Sequence, residues 1–323
     1  MPEGHTLHRL AAEYNARFRG RPTHSCSPQG RFALEATRID GQVLVNAEAN
    51  GKHLFAEFGE NVVHVHLGLL GKVTFTPATR SSAGGKGLGS GGAIRQPEPE
   101  IDLVPAAVGA LRWRLTTVDA AAGNQMYPVD AAADDQMYRA NTADLRGPTA
   151  CEILTPGEVD IVMGRLGPDP LRLDADPDIG WQRVSKSRMP IAALLMDQRV
   201  AAGVGNIYRA ELLYRHRLDP MMEGRLLRAA EWQAMWGDLV TLMRLGVLTG
   251  RIDTVRPEHE PEAMGRQPRM DRHGGEVYVY RRSGQPCLVC GIPIRMAELA
   301  GRNLFWCPGC QRRSRRRSPI SRQ

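Results

Sequence analysis

Asp197-Gln198-Arg199-Val200-Ala201-Ala202-Gly203-Val204-Gly205-Asn206-Ile207-Tyr208-Arg209-Ala210-Glu211 is the stretch on which the reading of the fold turns. Apolar sequence from Pro190 to Asp197 predicts a buried helix. Gly203 and Gly205 break it, and Ile207 to His216 restarts a helix with Ala210, Leu213 and Tyr214 inward. The two glycines let backbone approach a ligand closely, and a helix opening at Asn206 offers unsatisfied N–H groups to an anion. A tight helical corner with a capping asparagine is the competing reading.

Toward the C-terminus, an amphipathic helix is predicted from Arg225 to Leu245, and a Pro/Glu/Arg-rich link from Arg256 to Arg272 leads to a cysteine module. There Cys287-x-x-Cys290 is followed, after sixteen intervening residues, by Cys307-x-x-Cys310. Each knuckle presents two sulfurs to one ion, so the four close a tetrahedron around zinc. A four-cysteine site is coordinatively full, which makes the zinc structural. Ile292 to Met296 and Leu304 to Trp306 can pair as a hairpin with Gly301-Arg302-Asn303 near its tip, where Arg302 is poised to meet phosphate. A zinc ribbon alone names no function.

Toward the N-terminus, Thr155-Pro156-Gly157-Glu158 reads as a capping box with proline in the first turn. Before residue 150 the period is mostly two. Val43 and Val45, then Leu54, Ala56 and Phe58, then Val63, Val65 and Leu67, then Val73 and Phe75 alternate along strands, and another strand runs from Arg112 to Val118. Asn50-Gly51 marks a hairpin with Lys52 directly after it, and Gly59-Glu60-Asn61 marks the next turn. Ahead of these, Leu7, Leu10, Ala11 and Tyr14 predict a short helix with Thr6 as its N-cap. Two insertions interrupt the pattern. One, Gly/Ser/Pro-rich, covers about 78–100 and reads as a flexible surface segment. The other covers about 120–138, where Gln125-Met126-Tyr127 recurs as Gln136-Met137-Tyr138.

The chain has 323 residues, 42% of them apolar, enough for two ordinary domains and a real core. No run reaches the roughly 18 apolar residues of a membrane helix. The Met1-Pro2-Glu3-Gly4-His5 start has no signal-peptide character, and six cysteines are too few for a disulfide framework. The expected compartment is the reducing cytoplasm. The net charge of +7 is local: Gln311 to Gln323 holds six arginines and no acid, and without them 36 basic residues face 35 acidic ones. Such a tail suits a polyanion through counterion release; a solubilising end is the bland alternative.

Pro2-Glu3-Gly4, Gly51-Lys52 on the hairpin, Asp197-Gln198…Gly203-x-Gly205-Asn206-x-Tyr208-x-x-Glu211, and Arg302 before Cys307-Pro308-Gly309-Cys310-Gln311 occur in one order and spacing. In these pieces the chain resembles the formamidopyrimidine-DNA glycosylase/endonuclease VIII family along nearly its whole length, the two insertions apart. The Pro-Glu-Gly start and the Phe305-Trp306-Cys307 approach look more like the endonuclease VIII branch. The resemblance implies a base-excision repair DNA glycosylase with AP lyase activity. Removal of Met1 exposes Pro2 as a secondary amine, which titrates near pH 8, about two units below lysine. Pro2 then attacks C1′ of a damaged nucleotide to form a Schiff base, Glu3 acts as general acid/base at the sugar, and β,δ-elimination cleaves the strand. Lys52 meets a phosphate beside the lesion, and Asn206 and Arg302 hold others. The nucleotide must leave the stack, and Leu69 and Leu70, in the loop Gly68–Gly71, stand where members fill the gap; a strand-end turn with two core leucines is the equal alternative.

The expected fold is α+β. An N-terminal catalytic β-sandwich (1–150) brings Pro2 and Glu3 to a cleft. A helix-two-turns-helix domain (151–255), a zinc ribbon (273–311) holding one structural Zn2+, and a basic tail (312–323) complete the chain. The expected partners are double- or single-stranded DNA with oxidised bases, more often pyrimidines, or abasic sites, with no membrane and a monomeric protein. His5-Thr6 replaces the Pro-Glu often found after the opening triplet. It leaves open a catalytically weakened damaged-DNA-binding protein on the same scaffold. His5 and His8 read as solvated, His64 and His66 as surface or core packing, Tyr208 and Trp306 as packing, and Cys26 and Cys151 as free thiols.

Overall fold

The computed structural model describes residues 2–77, 79–80, 102–103, 110–117, 141–270 and 275–312. The insertion at 120–138, nearly all of the one at 78–100, and the tail beyond Arg312 lie outside the described residues. The chain divides into two compact units: Met1–Glu13, Glu48–Phe55 and Leu154–Gln323 form one, and Tyr14–Ala47 and Ala56–Ile153 the other.

Helix α1 (Gly4–Phe18) opens the fold. It begins two residues before Thr6, whose N–H donates to the Glu3 carbonyl at 2.9 Å, so Thr6 lies in the first turn and is not the N-cap. Leu7, Leu10, Ala11, Tyr14 and Phe18 are its buried apolar residues. Strand β1 (Thr23–Cys26), helix α2 (Ala33–Ile39) and strands β2 (Asn46–Asn50), β3 (His53–Phe58), β4 (Asn61–His66) and β5 (Lys72–Pro77) follow. The short strands β6 (Thr79–Arg80) and β7 (Asp102–Leu103) pair with each other, and β8 (Leu111–Thr117), β9 (Asn141–Arg146) and β10 (Ala150–Leu154) complete the set. One antiparallel sheet has the order β1-β8-β9-β5, the other β10-β4-β3-β2. The expected meander is thus present as β2-β3-β4. Val43 and Val45 depart from it: they precede β2 and point outward, and Leu44 between them is the buried residue.

Trp113 organises the core of the second unit. It stacks on Tyr14 at 5.9 Å and meets Phe32 and Phe58 edge-on, so side chains from α1, from the start of α2 and from β3 converge on it. Its indole N–H donates to Ser25 Oγ at 3.0 Å, which satisfies the one polar atom the ring buries. His64 is buried against Glu152, its Nδ1 3.0 Å from Oε1, a packing role as the sequence suggested.

The first unit holds α3 (Pro156–Met163), α4 (Pro177–Val184), α5 (Ile191–Leu194), α6 (Asn206–Arg215), α7 (Ala229–Thr249), α8 (Pro261–Met264) and the ribbon strands β11 (Arg295–Leu299) and β12 (Arg302–Trp306). The capping box at Thr155 and Glu158 is formed. The helix expected over Pro190–Asp197 is only the single turn α5. Met196 N and Asp197 N fall back to three-residue bonds, and the Asp197 carboxylate takes the Arg199 N–H at 2.9 Å. The long helix begins four residues later than expected, at Ala229, after a 3-10 turn at Gly224–Leu226; Glu231 accepts the Arg228 N–H at 2.9 Å. The first ribbon strand begins at Arg295 and not at Ile292, because Pro293 has no N–H for a ladder and makes only an isolated bridge to Pro286. Gln311 belongs to the ribbon and not to a tail: it is buried, donates to the Leu218 carbonyl at 3.0 Å and accepts from Cys307 N at 2.9 Å.

Helix α6 is buried from Asn206 to Tyr214. Its Glu211 carboxylate accepts from Thr254 Oγ1 (2.6 Å), Tyr278 N (2.7 Å), Val279 N (2.8 Å) and Tyr280 N (2.8 Å). That fastens the chain entering the ribbon to α6. Among the described residues no helix is long and apolar enough to cross a membrane. Trp113→Ala is predicted to destabilise the second unit by about 3–5 kcal/mol, read as a lowered urea midpoint.

Candidate active site

Glu3, directly ahead of α1, is fully buried at the N-terminus of α6. Gly205 N donates to its Oε2 at 2.8 Å, Ile207 N to Oε1 at 2.7 Å and Tyr208 N to Oε2 at 3.4 Å. The first N–H groups of a helix lack intrahelical acceptors, and Gly205, at the N-cap of α6, has no side chain to provide one. A carboxylate from the start of the chain provides it, where the helix dipole favours negative charge. Burial pushes the Glu3 carboxyl pKa up, against the pull of Lys52 and the three N–H groups.

The glycines of the sequence motif are explained by this contact. A Cβ on Gly205 would lie 2.4 Å from Glu3 Cδ. Gly51, with φ +60°, makes the β2–β3 turn, and a Cβ there would meet that of Ala202 at 3.0 Å. Gly4 N donates to the Gly203 carbonyl at 2.8 Å. Pro2-Glu3-Gly4, Gly51-Lys52 and Gly203-x-Gly205 therefore meet in one place.

Pro2 and Lys52 are half-buried and Arg302 is exposed. Burial lowers the Lys52 ammonium pKa; Glu3 opposes that, while Arg302 and Arg209 add to it. Asn206 is buried, its Nδ2 donating to the Asn303 carbonyl at 2.9 Å and its Oδ1 accepting from the Arg209 guanidinium. Arg209 also reaches the Asn303 carbonyl at 3.2 Å, so α6 is joined to the tip of the ribbon hairpin, where Arg302 pairs with Leu299 across the Ala300-Gly301 turn. Leu69 and Leu70, which belong to the second unit, are 53% and 87% exposed, so they are not core leucines. Tyr208 is fully buried and Trp306 packs against the core, as expected.

Both histidines of α1 differ from expectation. His5 is buried edge-on against Tyr208 with ring centroids 5.5 Å apart, and its Nδ1 has no hydrogen-bond partner. His8 Nε2 lies 2.7 Å from Oδ2 of Asp169, a buried carboxylate that also accepts from Gly51 N at 2.6 Å and, through Oδ1, from Leu171 N at 2.9 Å. The spacing of the two residues marked a polar helical turn, but the start of α1 is covered, and Gly246 leaves room for the His5 ring. Asp169 and Arg209 were not singled out from the sequence. Nothing in a lone Asp between two prolines, or in an arginine within an apolar helix, distinguishes them from surface residues.

The four ribbon sulfurs lie within 4.8 Å of one another, with Cys287–Cys310 at 3.9 Å and Cys290–Cys307 at 3.4 Å. A tetrahedron with Zn–S bonds of about 2.3 Å has edges of about 3.8 Å, so the donor set fits zinc. The Tyr214 hydroxyl, 3.1 Å from Cys287 Sγ, supports it from α6.

Burial lowers the His5 pKa from 6.5 to about 4, and Arg9 and His8 push the same way. The unfolded chain then binds the extra proton between these values, so stability is full above pH 6.5 and falls as pH drops toward 4. The loss is about 3 kcal/mol. His5→Gln is predicted to flatten that part of a stability–pH curve from urea unfolding, and an unchanged slope would assign it to other groups.

Comparison with known proteins agrees with this geometry. The formamidopyrimidine-DNA glycosylase N-terminal domain model matches residues 1–102, the H2TH domain model of the same glycosylase matches 166–256, and the zinc finger found in FPG and IleRS matches 284–313. The chain is 49% identical to Endonuclease 8 1 of Mycobacterium tuberculosis over 315 residues, 96% of this chain and 100% of the relative. It is 24% identical to formamidopyrimidine-DNA glycosylase of Vibrio cholerae over 290 residues, 88% of this chain and 89% of the relative. In fold it is similar to MutM in complex with DNA containing carbocyclic 8-oxo-G (TM-score 0.64, 18% identity, covering 97% of this chain and 100% of that one). The Lactococcus lactis Fpg in complex with DNA containing N7-benzyl-Fapy-dG is equally similar (TM-score 0.65, 19% identity, 97% and 100%). The chain belongs to the formamidopyrimidine-DNA glycosylase/endonuclease VIII family of DNA glycosylase/AP lyases in base excision repair, on its endonuclease VIII side, and holds one structural zinc in its ribbon.

Proposed function

We propose that this glycosylase excises oxidised pyrimidines through a Schiff base on Pro2 and cleaves the strand by β,δ-elimination. The observation that supports the reading is the Glu3 carboxylate, held by three backbone N–H groups one residue from Pro2. The pyrimidine preference follows the endonuclease VIII side of the family. Removal of Met1 frees the amine of Pro2. Its lone pair forms the bond to C1′ as the bond to the base breaks, and the base leaves with the bonding electrons. The nitrogen then carries one proton too many. Glu3, ionised, takes it and passes it to O4′ as the C1′–O4′ bond breaks, which leaves an iminium ion and a ring-opened sugar.

The iminium draws electrons from the C2′–H bond. Loss of that proton expels the 3′ phosphate, and a second loss at C4′ expels the 5′ phosphate. Lys52 holds a phosphate beside the lesion, Asn206 and Arg302 hold others, and Leu69 and Leu70 fill the space that the extruded nucleotide leaves. DNA carrying oxidised bases or abasic sites, duplex or single-stranded, is the substrate. The zinc fixes the hairpin that presents Arg302 and enters no chemical step.

Borohydride reduction during reaction with abasic-site DNA is predicted to link the DNA covalently to the N-terminal peptide beginning at Pro2. One residue added ahead of Pro2 should abolish the adduct. Tight binding of the same DNA with no adduct would favour the damage-binding alternative that Thr6 leaves open. A second prediction concerns pH. Glu3, whose pKa is raised, must begin ionised and the Pro2 amine must begin free, so both set the acidic limb of adduct formation, which lies above the ordinary carboxylate range. Lys52→Met removes a charge that lowers the Glu3 pKa, so the limb should move to still higher pH; movement to lower pH would contradict the assignment.

A further inference from the structure

Lys52 sits on a two-residue turn, and a turn by itself places an ammonium group loosely. Here the turn is held from beneath. Gly51 N donates to Asp169 Oδ2 at 2.6 Å, and the same oxygen lies 2.7 Å from His8 Nε2. The other oxygen accepts from Leu171 N at 2.9 Å, and the Arg172 N–H bonds the Asp169 carbonyl at 3.0 Å, so the loop holds Oδ1 and the backbone but leaves Oδ2 to Gly51 and His8. The Asp169 side chain is fully buried, whereas that of His8 is 18% exposed. A buried carboxylate needs donors on both oxygens, and α1 supplies one of them.

We propose that His8 is a positioning residue for Lys52: by donating to Asp169 it holds the carboxylate in the orientation that grips the Gly51 N–H. The placement of Lys52 relative to Glu3 is thereby fixed by a side chain on α1, the helix that directly follows Pro2-Glu3. One independent feature of the sequence agrees. Of its 42 basic residues only four are lysines, at 52, 72, 86 and 186, so an amine stands at position 52 in a chain that mostly uses arginine. A guanidinium is always charged and broad, whereas an amine is compact and responds to its surroundings. The charged groups that act on Lys52 are Glu3, Arg302 and Arg209, from three different elements. A shift of the turn changes its distance from all three.

The role of Lys52 at the lesion phosphate rests on the function proposed above, but the link from His8 to Lys52 does not. The first test therefore needs no substrate. With four lysines, side-chain 13C NMR resolves Lys52, assigned with Lys52→Met, and amide exchange reads Gly51. In His8→Leu, the Lys52 pKa should move detectably and Gly51 exchange should quicken by about tenfold. His8→Gln, whose amide N–H can replace Nε2–H, should restore both. Unchanged Lys52 titration and Gly51 exchange in folded His8→Leu would overturn the proposal.

On abasic-site DNA, His8→Leu should raise KM by about tenfold with a smaller change in kcat, again restored by His8→Gln. Equal KM in the two variants and the wild type would also overturn it. If the wild-type protein formed no adduct at all, that would strike at Pro2 and leave the NMR result to decide for or against His8.

Discussion

The structure depends on one ion–helix contact. The carboxylate of Glu3, at the start of the chain, takes the N–H groups of Gly205, Ile207 and Tyr208 that α6 leaves unpaired. Neither partner is complete alone. A buried carboxylate without donors carries a desolvation penalty of several kcal/mol, and a buried helix N-terminus without an acceptor leaves N–H groups unpaired. Joined, they fix the third residue of the chain against α6 in the first unit. A chain terminus is ordinarily among the most mobile parts of a protein, and the nucleophilic role proposed for Pro2 calls for such a restraint.

Other buried polar groups extend that restraint outward. Asp169 ties the Gly51 turn to α1 through His8, and Arg209 joins Asn206 to the Asn303 carbonyl. Glu211 fastens the segment at Tyr278–Tyr280, which leads into the ribbon. From α6, Tyr214 reaches the zinc ligand Cys287. Helix α6 thus connects the carboxylate at its first turn with the metal ribbon near its last.

Patterns that repeat were legible in the sequence. The four cysteines fixed the ribbon, Asn50-Gly51 the hairpin, Thr155 and Glu158 the start of α3, and an apolar alternation, interrupted at Phe55 and Val62, the strands β3 and β4. The ordered motif pieces brought Pro2, Glu3, Lys52 and α6 into one account, and the glycine contacts explain why those pieces carry glycine. Single buried polar residues were not legible. His5 and His8 have the spacing of an exposed helical turn, and only the packing of Tyr208 and the position of Asp169 turn them inward. Asp169 and Arg209 have no periodic neighbours to mark them. Element ends were misjudged where one residue altered the hydrogen bonding: Pro293 delayed β11, and the Asp197 carboxylate ended α5 in a turn. Val43 and Val45 misled because alternation says which residues share a face and not which face is buried.

The charge state of Glu3 tests the account most directly. In protein labelled with 13C at the glutamate carboxyl carbons, and assigned with Glu3→Gln, the Glu3 resonance is predicted to be that of a carboxylate at pH 7. Its titration midpoint should lie above those of the exposed glutamates. A Glu3 resonance that is already protonated at pH 7 would contradict the account, because neither the grip of α6 nor the proton transfer from Pro2 could then operate as described.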